Sequence, residues 1–120
     1  MTNEAYLAYL PQIKKRWENE PKIWQQNRQL AWEAARQIAV MLRKHYAVSQ
    51  VILFGSLPEK GRFDQHSDID LAVTGLDPAL FYQAVARLSD FSKGFHVDLL
   101  DLDRCPIHFR EAILEKGVSL

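Results

Sequence analysis

The sequence predicts an α+β fold: a small mixed β-sheet covered by helices, with a long helical arm at the N-terminal side. Three observations predict it. Residues 22–46 carry apolar side chains at helical spacing without a break. Three short apolar runs, within 51–54, 67–73 and 95–100, have strand length and are bounded by glycine or polar residues. A second helical pattern, residues 79–91, separates the last two runs. Connections of these lengths imply a mixed sheet.

Taken in order, residues 3–18 read as a helix, with Thr2 or Asn3 as its cap and Pro11 as a kink or restart. Tyr6, Leu7, Leu10, Ile13 and Trp17 follow its spacing. Asn19-Glu20-Pro21 is a helix entry, with Pro21 in the first turn. From Lys22 to Tyr46, Trp24, Ala31, Ile38 and His45 recur every seven residues, interleaved with Arg28, Ala35 and Leu42. His45 is thereby expected in the core or an interface. This helix is long for so small a domain, so its first half is expected to overhang the core. Trp17, Trp24 and Trp32 sit on the arm, and they suit either packing onto the chain's own core or a partner interface.

Val51 to Phe54 reads as a buried strand closed by Gly55. Ser67 to Val73 is the second strand region. Asp77 then caps a helix with Pro78 in its first turn. That helix runs over 79–91, with Leu80, Phe81, Ala84, Val85 and Leu88 on one face. Ser92-Lys93-Gly94 turns the chain into the third strand, 95–100. Residues 103–106 open a last helix that stops at Gly117. Val118 and Leu120 form a short extended tail.

At 120 residues, with 48% hydrophobic and 25% charged content, the chain is expected to form one soluble domain, residues 1–120. Within it, 1–46 is the helical arm and 47–120 the catalytic core. No apolar run approaches the ~20 residues of a membrane span, and no leader pattern is apparent, so a cytoplasmic protein is expected. The single Cys105 excludes an internal disulfide, and four scattered histidines give no zinc spacing. The net charge of zero is uneven. Residues 1–46 hold eight Lys/Arg against four Asp/Glu, or +4, and residues 47–120 hold seven against eleven, or −4. An acidic sheet half argues against direct nucleic-acid binding.

The chemistry gathers between residues 51 and 73. Gly55 permits a tight turn and close backbone approach, and Ser56 adds a hydroxyl beside freed amides, which together suit phosphate oxygens. Asp68 and Asp70 are two residues apart, so on a strand they share a face. Their mutual repulsion is relieved by a divalent cation, and hard oxygen ligands suit Mg²⁺. Asp98, within the third strand, would bring a third carboxylate to the same place if the strands are neighbours. Asp101 and Asp103 are its rivals, but Asp101 falls on the opposite face of a continuing strand. Three carboxylates beside a phosphate-holding turn can serve two metals in an in-line displacement at phosphorus. Lys60 and Arg62 are candidates for the triphosphate. Ser56 has no Gly-x-Ser-x-Gly elbow around it, which argues against a nucleophile.

Gly55-Ser56, eleven residues, Asp68-Ile69-Asp70 and then Asp98 resemble the signature of the DNA polymerase β-type nucleotidyltransferase superfamily. The short length resembles its minimal branch, the MNT antitoxins paired with HEPN-domain toxins. The likeness spans roughly residues 50–120. Leu57-Pro58-Glu59-Lys60-Gly61 departs from the pattern: it is one residue longer, with Lys60 where many relatives place an arginine. The resemblance implies a Mg²⁺-dependent nucleotidyltransferase of the polymerase β-like fold. Asp68, Asp70 and Asp98 would be catalytic and hold two Mg²⁺ ions, while Gly55, Ser56, Lys60 and Arg62 would hold ATP. It further implies an antitoxin that transfers AMP from ATP to a hydroxyl, expected to be tyrosine, of a HEPN ribonuclease toxin. The arm is the expected contact in such a hetero-oligomer. A different class of reading is a binding protein that silences its partner by occlusion and keeps a vestigial nucleotide site.

Overall fold

The computed structural model describes residues 20–59 and 61–120. The expected first helix, Trp17 and Lys60 lie outside the described residues. In order along the chain the elements are α1 (Lys22–Tyr46), β1 (Gln50–Phe54), β2 (Ile69–Thr74), a 3-10 turn (Pro78–Leu80), α2 (Phe81–Leu88), β3 (Val97–Asp101), α3 (Ile107–Lys116) and β4 (Val118–Ser119). The four strands form one mixed sheet in the order β3-β2-β1-β4. β1 is antiparallel to β2 and to β4, and β2 is parallel to β3. The fold is the α+β arrangement expected, with the sheet between helices.

Strand periodicity divides the apolar residues between two faces. Val51, Leu53, Leu71 and Val73 join Ala31, Ala35, Ile38 and Leu42 of α1 in the larger core, with Ala84 and Leu88 of α2. Ala31, Ala34, Ala35 and Ala39 are fully buried, and their small side chains let α1 sit close to the sheet. Ile52, Ala72, Leu102 and Ile113 form a smaller core on the other face, beneath α3.

Several local expectations change. Trp32 is 1% exposed and belongs to the larger core, so it is not a partner surface. Trp24 is half-buried. His45 is exposed, because α1 turns its last buried side chain, Tyr46, inward instead. The first half of α1 does not overhang: Arg28 is fully buried there. Pro21 stands just before the helix rather than inside its first turn, and its carbonyl accepts from Trp24 and Gln25. Asp77 caps as expected, its Oδ1 accepting from Ala79 N at 2.9 Å, but the helix begins as a 3-10 turn and ends at Leu88. β3 starts at Val97, two residues late, since the Phe95 amide closes a turn onto Ser92 O. Asp103 does not open α3; its Oδ2 accepts from Gly75 N at 2.8 Å. Gly117 does stop α3, with extended backbone (φ −76°) rather than a left-handed cap. A Cβ there would collide with Ile52 Cγ2 and lie 2.6 Å from Ile113 O, so glycine is needed for close packing. The tail ends as β4, and Leu120 N donates to Val51 O at 2.8 Å.

Candidate functional site

The register fixes where the acidic residues meet. β2 and β3 run parallel with Asp70 paired to Asp98, and on the other side β1 pairs Phe54 with Asp70. Asp70 and Asp98 therefore share the α3-side face of the sheet, at its end, and Asp68, just before β2, is near enough for its charge to act on Asp70. Asp101 pairs with Val73 and falls on the opposite parity, where it binds Arg104 at 2.9 Å. Asp70 is half-buried, while Asp68 and Asp98 are exposed. Burial raises the Asp70 carboxyl above the ordinary aspartate range, and the charges of Asp98 and then Asp68 push it further the same way, against a smaller opposing effect of His96.

Sequence spacing expects three converging carboxylates. The strands do bring Asp70 and Asp98 to one face, but the side chains do not close into a ligand set: among the described residues no three His, Cys, Asp or Glu side chains are grouped to hold a metal ion. Asp98, close enough to act on Asp70, also has its Oδ1 2.8 Å from His96 Nε2. His96 was not singled out by the sequence reading, although its spacing of two from Asp98 put it on the same strand face.

The turn after β1 lies against this face. Gly55 has φ +76°, and a Cβ there would run into Asp70 Oδ2 and sit 3.1 Å from its Cγ. Gly55 is thus required both by its backbone conformation and by the approach of Asp70. Ser56 is exposed, and the amides of Ser56 and Leu57 donate to no described residue. Arg62 is exposed and paired with Asp64 Oδ2 at 2.8 Å, so it does not reach the turn in this arrangement. The Asp64 carboxylate also accepts from the His66 amide, which is the largest influence holding its pKa down.

Two features escaped the sequence reading. An apolar cavity of about 680 Å³ opens between the turn and α3, lined by Phe54, Gly55, Pro58, Leu100, Phe109 and Ile113, with Cys105, Glu59 and Lys116 also on its wall. Its volume is in the range of small-ligand sites. The apolar spacing of α3 carried this signal, but the same residues read equally well as core. The second feature is Arg28, whose guanidinium reaches the turn from α1. Its Nη1 donates to Leu57 O at 2.9 Å and also to Glu59 O, its Nη2 to Gly61 O, and its Nε to Glu20 Oε2 at 3.0 Å. Burial lowers its pKa, and the charge of Glu20 opposes that fall.

Comparison with known proteins agrees with this fold. Residues 36–120 match the family described as polymerase beta, nucleotidyltransferase. No curated protein sequence matches the chain. Among similar solved structures is the MntA–HepT toxin–antitoxin complex, at 22% identity over 72% of this chain and 68% of that one, TM-score 0.54, which speaks to the fold alone. A toxin–antitoxin complex with AMP-PNP is 25% identical over 71% of this chain and 70% of that one, TM-score 0.59. The third is tri-AMPylated Shewanella oneidensis HEPN toxin in complex with MNT antitoxin, 25% identical over 77% and 70%, TM-score 0.55. Among the described residues no helix is long and apolar enough to cross a membrane.

Proposed function

The chain belongs to the polymerase β nucleotidyltransferase family, and from that premise we propose that it is a protein adenylyltransferase that acts as an antitoxin. It transfers AMP from ATP to a tyrosine hydroxyl of a HEPN ribonuclease toxin. The observation that carries this reading is the contact of Gly55 with Asp70, itself paired in register with Asp98. The closeness of turn and carboxylates in one packed unit supports reading the turn as the one that holds phosphate. The similar structures that contain AMP-PNP and an AMPylated HEPN toxin support the choice of nucleotide and partner.

Asp68 and Asp70 fit Mg²⁺ by their chemistry: neighbouring carboxylates, of which Asp70 is raised by burial and then by the charges of Asp98 and Asp68. Magnesium held by them and by Asp98 would supply positive charge to the phosphates and lower the pKa of the acceptor hydroxyl. The protein's own groups do the rest. The turn amides and the Ser56 hydroxyl hold the nucleotide's phosphates, and Lys60 and Arg62, the latter once it leaves Asp64, are the candidates for the triphosphate. Asp98, oriented by His96, takes the proton as the acceptor oxygen bonds to the α-phosphorus, and the bond to pyrophosphate breaks. The apolar cavity beside Gly55 receives the nucleoside. Residues 1–120 act as one unit in the cytoplasm, with the arm toward the toxin and no direct contact to nucleic acid.

The test mixes the protein with α-labelled ATP, Mg²⁺ and the HEPN protein. Label should appear on the HEPN protein and be lost without Mg²⁺ or in Asp68→Ala/Asp70→Ala; equal labelling by that variant ends the reading. The occlusion reading has its own motive, the long helix α1 that carries Trp24 and the exposed Ile23 and Leu30. It predicts that the double variant still binds and silences the partner.

A further inference from the structure

We propose that Glu20 and Arg28 are positioning residues of the nucleotide site, a clamp on α1 and its entry that holds the backbone of the phosphate-holding turn at Leu57, Glu59 and Gly61. The proposal rests on the transferase reading. It concerns residues that precede the family match at 36–120.

Arg28 is fully buried in the first half of α1. Its Nη1 faces Ser56 O at 3.4 Å, Leu57 O at 2.9 Å and Glu59 O, and its Nη2 donates to Gly61 O. Glu20 completes the hold. Its Oε2 accepts from Arg28 Nε at 3.0 Å, and its Oε1 accepts from Gly61 N at 2.9 Å. The guanidinium also lies 5.6 Å from the ring centroid of Phe63, which closes the far side. Two side chains from one helical entry therefore engage both ends of the segment.

Packing alone does not require this. A buried ion pair is costly to desolvate, and apolar residues of the same volume often do as well for stability. What the pair supplies is direction. Peptide carbonyls repel phosphate and amides attract it. With the segment's carbonyls drawn back onto a guanidinium, the amides of Ser56 and Leu57 are left without a partner among the described residues, beside Gly55 and Asp70. The fork's donors serve Leu57 O, Glu59 O, Gly61 O and Glu20 Oε2, one acceptor more than the three donors of a lysine ammonium can meet.

The test compares wild type with Arg28→Lys and with Glu20→Gln/Arg28→Met, which removes both charges and keeps the volume. Thermal melting establishes folding. Labelling of the HEPN protein gives KM for ATP and kcat, and hydrogen exchange reads the 56–63 backbone directly. The expected result is a KM for ATP raised about tenfold in both variants with kcat nearly unchanged, the mark of lost binding common to ground and transition states. Exchange should quicken within 56–63 while β1 and β2 stay protected. A folded double variant with wild-type KM, or with unchanged exchange in the segment, overturns the proposal while leaving the transferase reading intact. A wild-type protein that neither binds ATP nor labels its partner overturns the transferase reading, and the nucleotide role of Glu20 and Arg28 falls with it.

Discussion

Replacing Gly55 with alanine tests the site's construction most sharply. A Cβ at this position would overlap Asp70 Oδ2 and stand 3.1 Å from Cγ and 3.3 Å from Cβ of the same residue. Asp70 is held by its strand, so only its carboxylate can yield, by roughly an ångström. A displacement of about 1 Å at a reacting centre costs on the order of 100-fold in rate. The positive φ of +76° adds a separate penalty. For alanine it is about 1 kcal/mol, which in a domain of this size lowers the melting temperature by about 4 °C. Gly94 supplies the control, with φ +89° and nothing within 4 Å of an added Cβ. Gly94→Ala should lose similar stability and keep its transfer rate. The assay is label transfer to the HEPN protein alongside thermal melting. Gly55→Ala with transfer within about threefold of Gly94→Ala would refute the argument, since that is far short of the 100-fold expected of a displaced carboxylate.

The other predictions follow from single features. Asp70 has a native pKa above its ordinary value, so the folded protein binds its proton more tightly than the unfolded chain, and stability falls as pH rises from the ordinary aspartate value through the raised native one. Asp70→Asn should therefore melt above wild type at neutral pH in the absence of metal, and the difference should vanish below about pH 4; a variant no more stable at pH 7 contradicts this. Trp32, 1% exposed in the larger core, should cost about 3–5 kcal/mol on change to alanine, as measured by denaturant unfolding. Cys105 lines the apolar cavity and is the chain's one thiol, so ATP with Mg²⁺ should slow its alkylation as followed by intact mass; equal rates with and without nucleotide would place the nucleoside elsewhere.

The sheet and its carboxylates were legible because they rest on local rules. A two-residue period puts Asp68 and Asp70 on one face, and a glycine after an apolar strand marks a turn. Strand neighbours were less plain from spacing, yet the helix between residues 74 and 97 allowed the parallel pairing that sets Asp70 against Asp98. The edges of elements were read less well. Asp103 looked like the start of a helix, but its carboxylate is drawn to Gly75 N, twenty-eight residues earlier, and no local pattern encodes that bond. Gly117 stopped its helix for a reason that depends on Ile52 in another element.

Arg28 shows the same limit at the site itself. Helical spacing placed it on the buried stripe of α1, and an arginine there is ordinarily a boundary residue whose charged end reaches water. Its partners are the carbonyls of Leu57, Glu59 and Gly61, in a segment whose composition gives no sign of needing a guanidinium. Only Glu20 lies near it in the chain, and a spacing of eight, with Glu20 ahead of the helix, is not one at which helical side chains are expected to meet. What makes the two residues part of the site is that the antiparallel return from β1 to β2 brings the turn back over the start of α1. Helix α1 is long for its core because its second turn reaches the turn after β1. Shortening α1 from the N-terminal side past Arg28 should therefore cost nucleotide binding before it costs the fold, because the larger core is built from Ala31 onward. Circular dichroism and ATP binding on a chain beginning at residue 30 decide this. Retained helix and sheet signal with lost ATP binding agrees with the clamp, and retained binding rejects it.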